Sequence, residues 1–318
     1  MNELNLDATP HIRGRSSVSR TMLCVLLALL PAAIAGCVSF GRHSAMVLLF
    51  TTFTAVFTEA LCCLVLRRPQ TVTDCSAAVT GLILGMTLPP DIPITYAVIG
   101  SAAAIILFKQ LFGGLGRTLV NPAAAGHLLL LVCFMKYMTV WRDPMTNAVT
   151  YETPLTEKGA TYLDLLLGNT AGNIGEVCAV GLLLGGIFLC FTRIISPVTP
   201  FAFLGSFALL SFIGGYDVIA QLLSGGLLLA AFFMASDYST TPLTASGKCV
   251  FGLGCGILTF LIRHFGGWPE GVIFAVIIMN LASPLIGRLT RTVPFGAVMP
   301  EKPAKKEKAS KAAAEQNS

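Results

Sequence analysis

The chain has 318 residues, of which 54% are hydrophobic and 12% charged, with a formal net charge of +5; soluble domains carry roughly 25% charged residues. That balance excludes a water-soluble globular fold. A spanning helix needs roughly 20 mostly apolar residues, so the length limits the chain to about a dozen spans.

Arg13, Arg15 and Arg20 precede the first apolar run, as in a secretory signal. Cys37 to His43 offers no A-x-A cleavage site and more apolar runs follow, so the first run reads as an uncleaved span. Ten apolar segments follow in order: 21–40, 45–66, 76–90, 94–111, 120–138, 175–193, 199–214, 217–235, 249–264 and 270–287. With the N-terminus inside, Arg67, Arg68, Lys109, Arg117, Arg193, Lys248, Arg288 and Arg291 fall on the cytoplasmic side, the positive-inside pattern. Lys302, Lys305, Lys306, Lys308 and Lys311 join them in a tail otherwise rich in Ala, Glu and Ser, a composition expected to stay disordered. Asp91, Asp217, Glu270 and the acid-rich connection 139–174 lie outside, while Arg42, Arg142, Lys158 and Arg263 dissent.

Two markers recur at one spacing. Leu88-Pro89-Pro90 ends the third segment and Thr240-Thr241-Pro242 follows the eighth, with 242 − 89 = 153; Phe112-Gly113-Gly114 and Phe265-Gly266-Gly267 differ by 265 − 112 = 153. Five spans per half invert the second half, the plan whose sites lie near the midplane on broken helices. Segments three and eight are the candidate broken helices; the alternative is that their prolines merely end helices at the interface. The expected fold is an all-α polytopic membrane protein of about ten transmembrane helices in two inverted five-helix repeats. Its parts are a cytoplasmic segment 1–20, a first half 21–138, an outer loop 139–174, a second half 175–287 and a cytoplasmic tail 288–318.

Hydrolytic and nucleotide-binding signatures are missing: no G-x-S-x-G, H-E-x-x-H or Walker pattern occurs. Gly113-Gly114-Leu115-Gly116 has no strand before it and reads as a tight cytoplasmic turn, not a dinucleotide fingerprint. His127, well inside a span without a second ligand at helical spacing, reads as a hydrogen-bonded packing residue. The ten cysteines form no C-x-x-C pair, so a metal cluster held by this chain alone is not expected.

Several strings carry a resemblance: Thr80-Gly81-Leu82-Ile83-Leu84-Gly85-Met86-Thr87-Leu88-Pro89-Pro90; Phe112 to Arg117 continuing to Asn121-Pro122-Ala123; Phe232 to Asp237; Arg263 to Gly271; and Met279 to Leu285. In these residues the chain resembles the D-subunit family of the Rnf ferredoxin:NAD⁺ oxidoreductases, related to the B subunit of the Na⁺-translocating NADH:quinone reductase, over residues 20–290. The resemblance implies an electron-carrying subunit of an ion-translocating complex in the bacterial cell membrane, multi-pass with both termini cytoplasmic, working with other subunits that include an extracytoplasmic flavoprotein. It also implies FMN joined through its phosphate to a threonine of the outer loop. The matching stretch is Asn147-Ala148-Val149-Thr150-Tyr151-Glu152-Thr153-Pro154-Leu155, making Thr153 the attachment point and Thr150 the upstream hydroxyl. Asn147 stands where the family has an acid, and Tyr151-Glu152 where it has Gly-Ala.

The resemblance further implies a second, non-covalent flavin (riboflavin) beside Asn121. Asparagine there serves equally as a helix cap with Pro122 at the first helical position. Asp237 would line an ion or flavin path, or be solvated at the interface. Where relatives carry an acid after the last span's Pro-Leu-Ile this chain has Gly287, so the resemblance leaves sodium or proton coupling open. Two other functions fit the same sequence: a secondary transporter or channel for a small polar solute, and a structural subunit without covalent flavin.

Overall fold

The computed structural model describes residues 17–144, 148–150, 161–266 and 271–291. Four helices are long and apolar enough to cross a membrane: α1 (Val18–Phe40), α2 (Arg42–Val65), α12 (Ala245–Phe265) and α13 (Gly271–Leu289). Shorter apolar helices fill the space among them: α3 (Ser76–Met86), α4 (Ile94–Ala103), α5 (Pro122–Cys133), α8 (Ala179–Phe191) and α9 (Val198–Ile213). Short helical pieces complete the set: α6 (Met135–Met138), α7 (Tyr162–Leu167), α10 (Val218–Leu223) and α11 (Leu227–Leu229). Each of the ten apolar segments thus contains helix. The all-helical expectation needs one correction, because Trp141–Arg142 (β1) and Val149–Thr150 (β2) pair antiparallel in the loop after α6.

Large apolar side chains such as Phe53, Phe57, Phe201 and Phe212 face outward, as a lipid solvent requires, and Leu84, Met86, Phe203 and Phe207 fill the interior. α2 packs on α3 and α4, α12 packs on α9 and α13, and α1 crosses α8. That crossing is close because its residues are small. A Cβ on Gly181 would lie 2.9 Å from the Ala32 backbone, and one on Gly185 would press on the Ala28 carbonyl.

α3 and the α10–α11 segment do not cross as single rods. α3 stops after 11 residues, and the chain at 174–175 comes back to its end: Gly175 N–H donates to the Met86 carbonyl (2.7 Å) and Ile174 N–H to the Leu88 carbonyl (3.0 Å). Between α10 and α11 the helix breaks at Ser224-Gly225-Gly226, then resumes through α11 and a π-helical stretch, Ala230–Met234. A second π-helical stretch, Ala104–Gln110, extends α4. Segment eight is therefore broken, as one of the two sequence readings has it.

A break inside an apolar bundle exposes backbone groups that lipid cannot satisfy, and two charged side chains meet this need. Arg263 donates to the carbonyls of Gln221 (3.0 Å), Ser224 (3.1 Å) and Gly225 (2.7 Å), the electronegative end of α10. Its guanidinium also lies 5.1 Å from the Phe207 ring centre. The Glu176 carboxylate rests against Gly226, where α11 begins and free N–H groups favour an anion. Arg263 dissents from the charge rule because it is a buried clamp on the backbone. Arg142 dissents for a related reason: its Nε is 2.8 Å from Asp91 Oδ2.

Gly226 combines a φ of +69° with a position where a Cβ would come within 2.6 Å of Glu176 Cδ. Gly226→Ala is expected to cost about 1–3 kcal/mol through backbone strain and collision, read as a lower thermal unfolding midpoint in detergent. Gly205→Ala, where a Cβ meets nothing within 4 Å, should leave that midpoint unchanged or raise it.

Candidate functional site

Asn121 ends the turn that begins at Gly113 and starts α5. Gly113, Gly114 and Gly116 all take positive φ, so the glycine run is the turn its composition implies. Asn121 Oδ1 accepts from the N–H groups of Ala123 (3.0 Å) and Ala124 (3.3 Å), with Pro122 at the first helical position. The capping role is thereby met. Its Nδ2 donates to the Met234 carbonyl at 3.4 Å, tying α5 to the π-helical stretch after α11. An amide nitrogen has two donors, so one N–H remains for a ligand.

Asp237 closes the same space from the second half of the chain. Its carboxylate accepts from Ser239 N–H (3.1 Å) and Ser239 Oγ (2.8 Å), and Thr118 Oγ1 donates to that Ser239 hydroxyl (3.2 Å). Asp237 is thus held in a turn rather than freely solvated at an interface. Loss of solvent pushes its carboxyl above the ordinary carboxylate range, and the Ser239 hydrogen bonds draw it part of the way back.

Asn121 and Asp237, 116 positions apart in sequence, line one cavity of about 740 Å³ counting the solvent it opens onto. Ser76, Lys109, Phe232 and Phe233 join them in its wall. Both π-helical stretches contribute, one through Lys109 and the other through the two phenylalanines; such irregular turns are frequent at functional sites.

Lys109 corrects the charge count. It is buried, 1% exposed, with Nζ 2.8 Å from Glu59 Oε1 and 2.7 Å from Ser76 Oγ. Glu59 Oε1 also accepts from Gln110 Nε2 (3.1 Å) and Thr71 Oγ1 (3.0 Å). Sequence reasoning passed over this pair. The signal was Glu59 itself, the single acid within the apolar segment 45–66, since an ionisable residue within a span is by default functional. His127 is fully buried, with Nδ1 3.1 Å from Thr87 Oγ1, in keeping with its packing role.

Thr150 lies apart from this cavity, beyond the opposite end of α5. It sits half-buried in β2, paired across from Trp141. The ladder is fixed to the bundle by the Arg142–Asp91 ion pair and by Trp141 Nε1 donating to Asn173 Oδ1 at 3.0 Å. Thr153 lies outside the described residues, as do Asn147, Tyr151 and Glu152.

These features define a polytopic helical membrane protein with a broken helix, a mostly apolar cavity that carries a few fixed polar side chains, and an anchored loop after α6. The chain belongs to the NQR2, RnfD, RnfE family, whose pattern it matches over residues 5–296. It is 42% identical to the D subunit of the Na⁺-translocating ferredoxin:NAD⁺ oxidoreductase complex of Acetobacterium woodii, covering 96% of this chain and 100% of that protein. It is 39% identical to the D subunit of the proton-translocating ferredoxin:NAD⁺ oxidoreductase complex of Clostridium ljungdahlii, covering 93% and 97%. With the D subunit of the ion-translocating oxidoreductase complex of Stutzerimonas stutzeri it shares 36%, covering 89% and 93%.

Removing one member of the Glu59–Lys109 pair leaves a buried charge without its partner. Glu59→Gln or Lys109→Met is expected to cost about 3–5 kcal/mol, and the double substitution much less than the sum. A double-mutant cycle on thermal unfolding in detergent measures the coupling.

Proposed function

We propose that this chain is the D subunit of an Rnf-type ion-translocating ferredoxin:NAD⁺ oxidoreductase complex, a membrane component that carries flavin and is not catalytic alone. The single observation that carries this reading is the meeting of Asn121 and Asp237, drawn from separate strings of the family resemblance, in the wall of one cavity. The full-length match to D-subunit proteins supports it. The complex would sit in the bacterial cell membrane with other subunits, an extracytoplasmic flavoprotein among them, and both termini of this chain would be cytoplasmic.

On this reading the chain would hold two flavins, which when bound supply one-electron chemistry. Thr153 would hold FMN as a phosphoester of its hydroxyl oxygen, set in place by a separate transferase that moves the flavin phosphate from an activated donor and releases that donor's leaving group. At most about 10 Å of chain joins Thr153 to Thr150, whose strand is tied to the bundle. Tethering raises the local concentration of the carrier and prevents its loss. In the cavity, Asn121, with its remaining N–H, and the apolar Phe232 and Phe233 would hold the non-covalent flavin, riboflavin, which would supply the electron-carrying chemistry there.

The scaffold is proposed to be two inverted five-helix repeats of about ten spans. An offset of 153 carries α2 into α9, α4 into α12 and α5 into α13. Contacts at the α1–α8 crossing are reciprocal under the same offset. Residue 28 corresponds to 181 and residue 32 to 185, and Gly181 meets Ala32 while Gly185 meets Ala28, the self-complementary pattern of a two-fold axis. Thr87 and His127 likewise map onto Thr240 and Asn280, all four buried. The relatives are named for different ions, sodium and proton, so the coupling ion is a matter of local residues rather than of overall similarity.

Covalent flavin is tested on the chain purified from its native host. An ultraviolet-excited fluorescent band on a denaturing gel and an intact mass larger by one FMN phosphoester are expected, and Thr153→Ala should abolish both without altering helix content. A dark band with an unmodified mass would rule out the covalent attachment.

A further inference from the structure

We propose that Lys109 tunes the reduction potential of the cavity's non-covalent flavin, its ammonium stabilising the negative charge that the ring gains on reduction; this rests on the reading that the cavity holds that flavin.

Lys109 lines the cavity together with Asn121 and Asp237. An ammonium has three donors, and the hydrogen bonds to Glu59 Oε1 and Ser76 Oγ use two, leaving one N–H for a group in the cavity. Glu59 is itself held by Gln110 and Thr71, so the lysine is pinned from below rather than free to swing out. The cavity also carries an opposing influence. Asp237 sits in its wall, and Asp74 and Glu59 are the other acids acting on Lys109. A ring that gains one electron without a proton adds a negative charge to a space already bordered by acid. Lys109 is the cation of the cavity wall among the described residues, and in a site shielded from water one charge shifts that balance strongly. The step moves one electron from an external reductant to the ring and no proton; the lysine keeps its own.

The proposed role explains why an ionised pair is kept here at all. Isosteric apolar residues would serve stability as well or better, and α4 would not need its π-helical stretch beside the cavity. Lys109 is a positioning and tuning residue: the electron is carried by the cofactor.

The test uses the intact complex purified from its native host, with released flavin quantified after acid extraction and the potential followed by dithionite titration of visible absorbance in the presence of mediators. Wild-type complex should release one riboflavin, distinguished from FMN by its missing phosphate, per copy of this chain. Lys109→Met should shift the oxidised-to-reduced ratio of that flavin at least tenfold toward the oxidised form at a fixed potential, about 59 mV for one electron. Lys109→Arg should retain the wild-type value. The Glu59→Gln/Lys109→Met double variant, which leaves no unpaired buried charge, keeps the test open if Lys109→Met does not fold, and should shift in the same direction. Flavin present with an unchanged potential in the folded neutral variants would overturn the role of Lys109 and leave the cavity reading intact. No extractable riboflavin in wild-type complex would overturn the cavity reading and the tuning role with it.

Discussion

Much of this architecture follows from one constraint: a backbone group inside lipid must find its partner within the protein. An uninterrupted helix meets the requirement unaided, whereas the break at Ser224-Gly225-Gly226 does not. Arg263 from α12 covers the carbonyl end of α10, and Glu176 from the loop before α8 covers the start of α11. Each charge faces the helix end whose dipole it complements. The break is tolerated because α9 packs on α10, α8 packs on α11, and Arg263 of α12 reaches its carbonyls. The short α3 is finished in a comparable way, by N–H groups of Ile174 and Gly175 meeting its last carbonyls.

Breaking a helix in this manner does more than interrupt it. Because α11 begins in the interior, its π-helical continuation delivers Phe232 and Phe233 to the cavity and places the Met234 carbonyl 3.4 Å from Asn121 Nδ2. The two halves are thus joined at the cavity by polar contacts at two points, Asn121 with Met234 and Thr118 with Ser239. The wall is mostly apolar with a few fixed polar atoms, the usual character of a cofactor site.

The membrane class and the positions of the helices were legible because hydropathy reports directly on solvent. Short helices were legible too, where proline ended them, as at Pro89 and Pro90. Asn121 was legible as a cap since Asn-Pro before an apolar run is a helix start. Lys109 and Arg263 were not. A lysine near a span end and an arginine near another look alike in a charge count whether they snorkel to water or fold back inside, and only tertiary packing separates the two outcomes. Glu59 and Lys109 lie 50 residues apart and Arg263 lies 38 from Gly225, distances at which a sequence carries no pairing signal. The small ladder at Trp141 was missed because two-residue strands have no periodicity to read.

The spacing of 153 does not extend to the charged residues. At the offset of 153, Glu59 and Lys109 correspond to Phe212 and Ile262, so the buried pair has no second copy. Arg263 and Glu176 correspond to Gln110 and Leu23, so the clamped break has none either. The two halves of the chain place their charges differently. The first half sets a lysine beside the cavity, and the second stabilises a helix break that brings the aromatic wall to it. An unbroken two-fold would place equal groups at both ends of the bundle and treat both faces alike. Vectorial electron or ion transfer requires the faces to differ, and those four charged residues are among the differences.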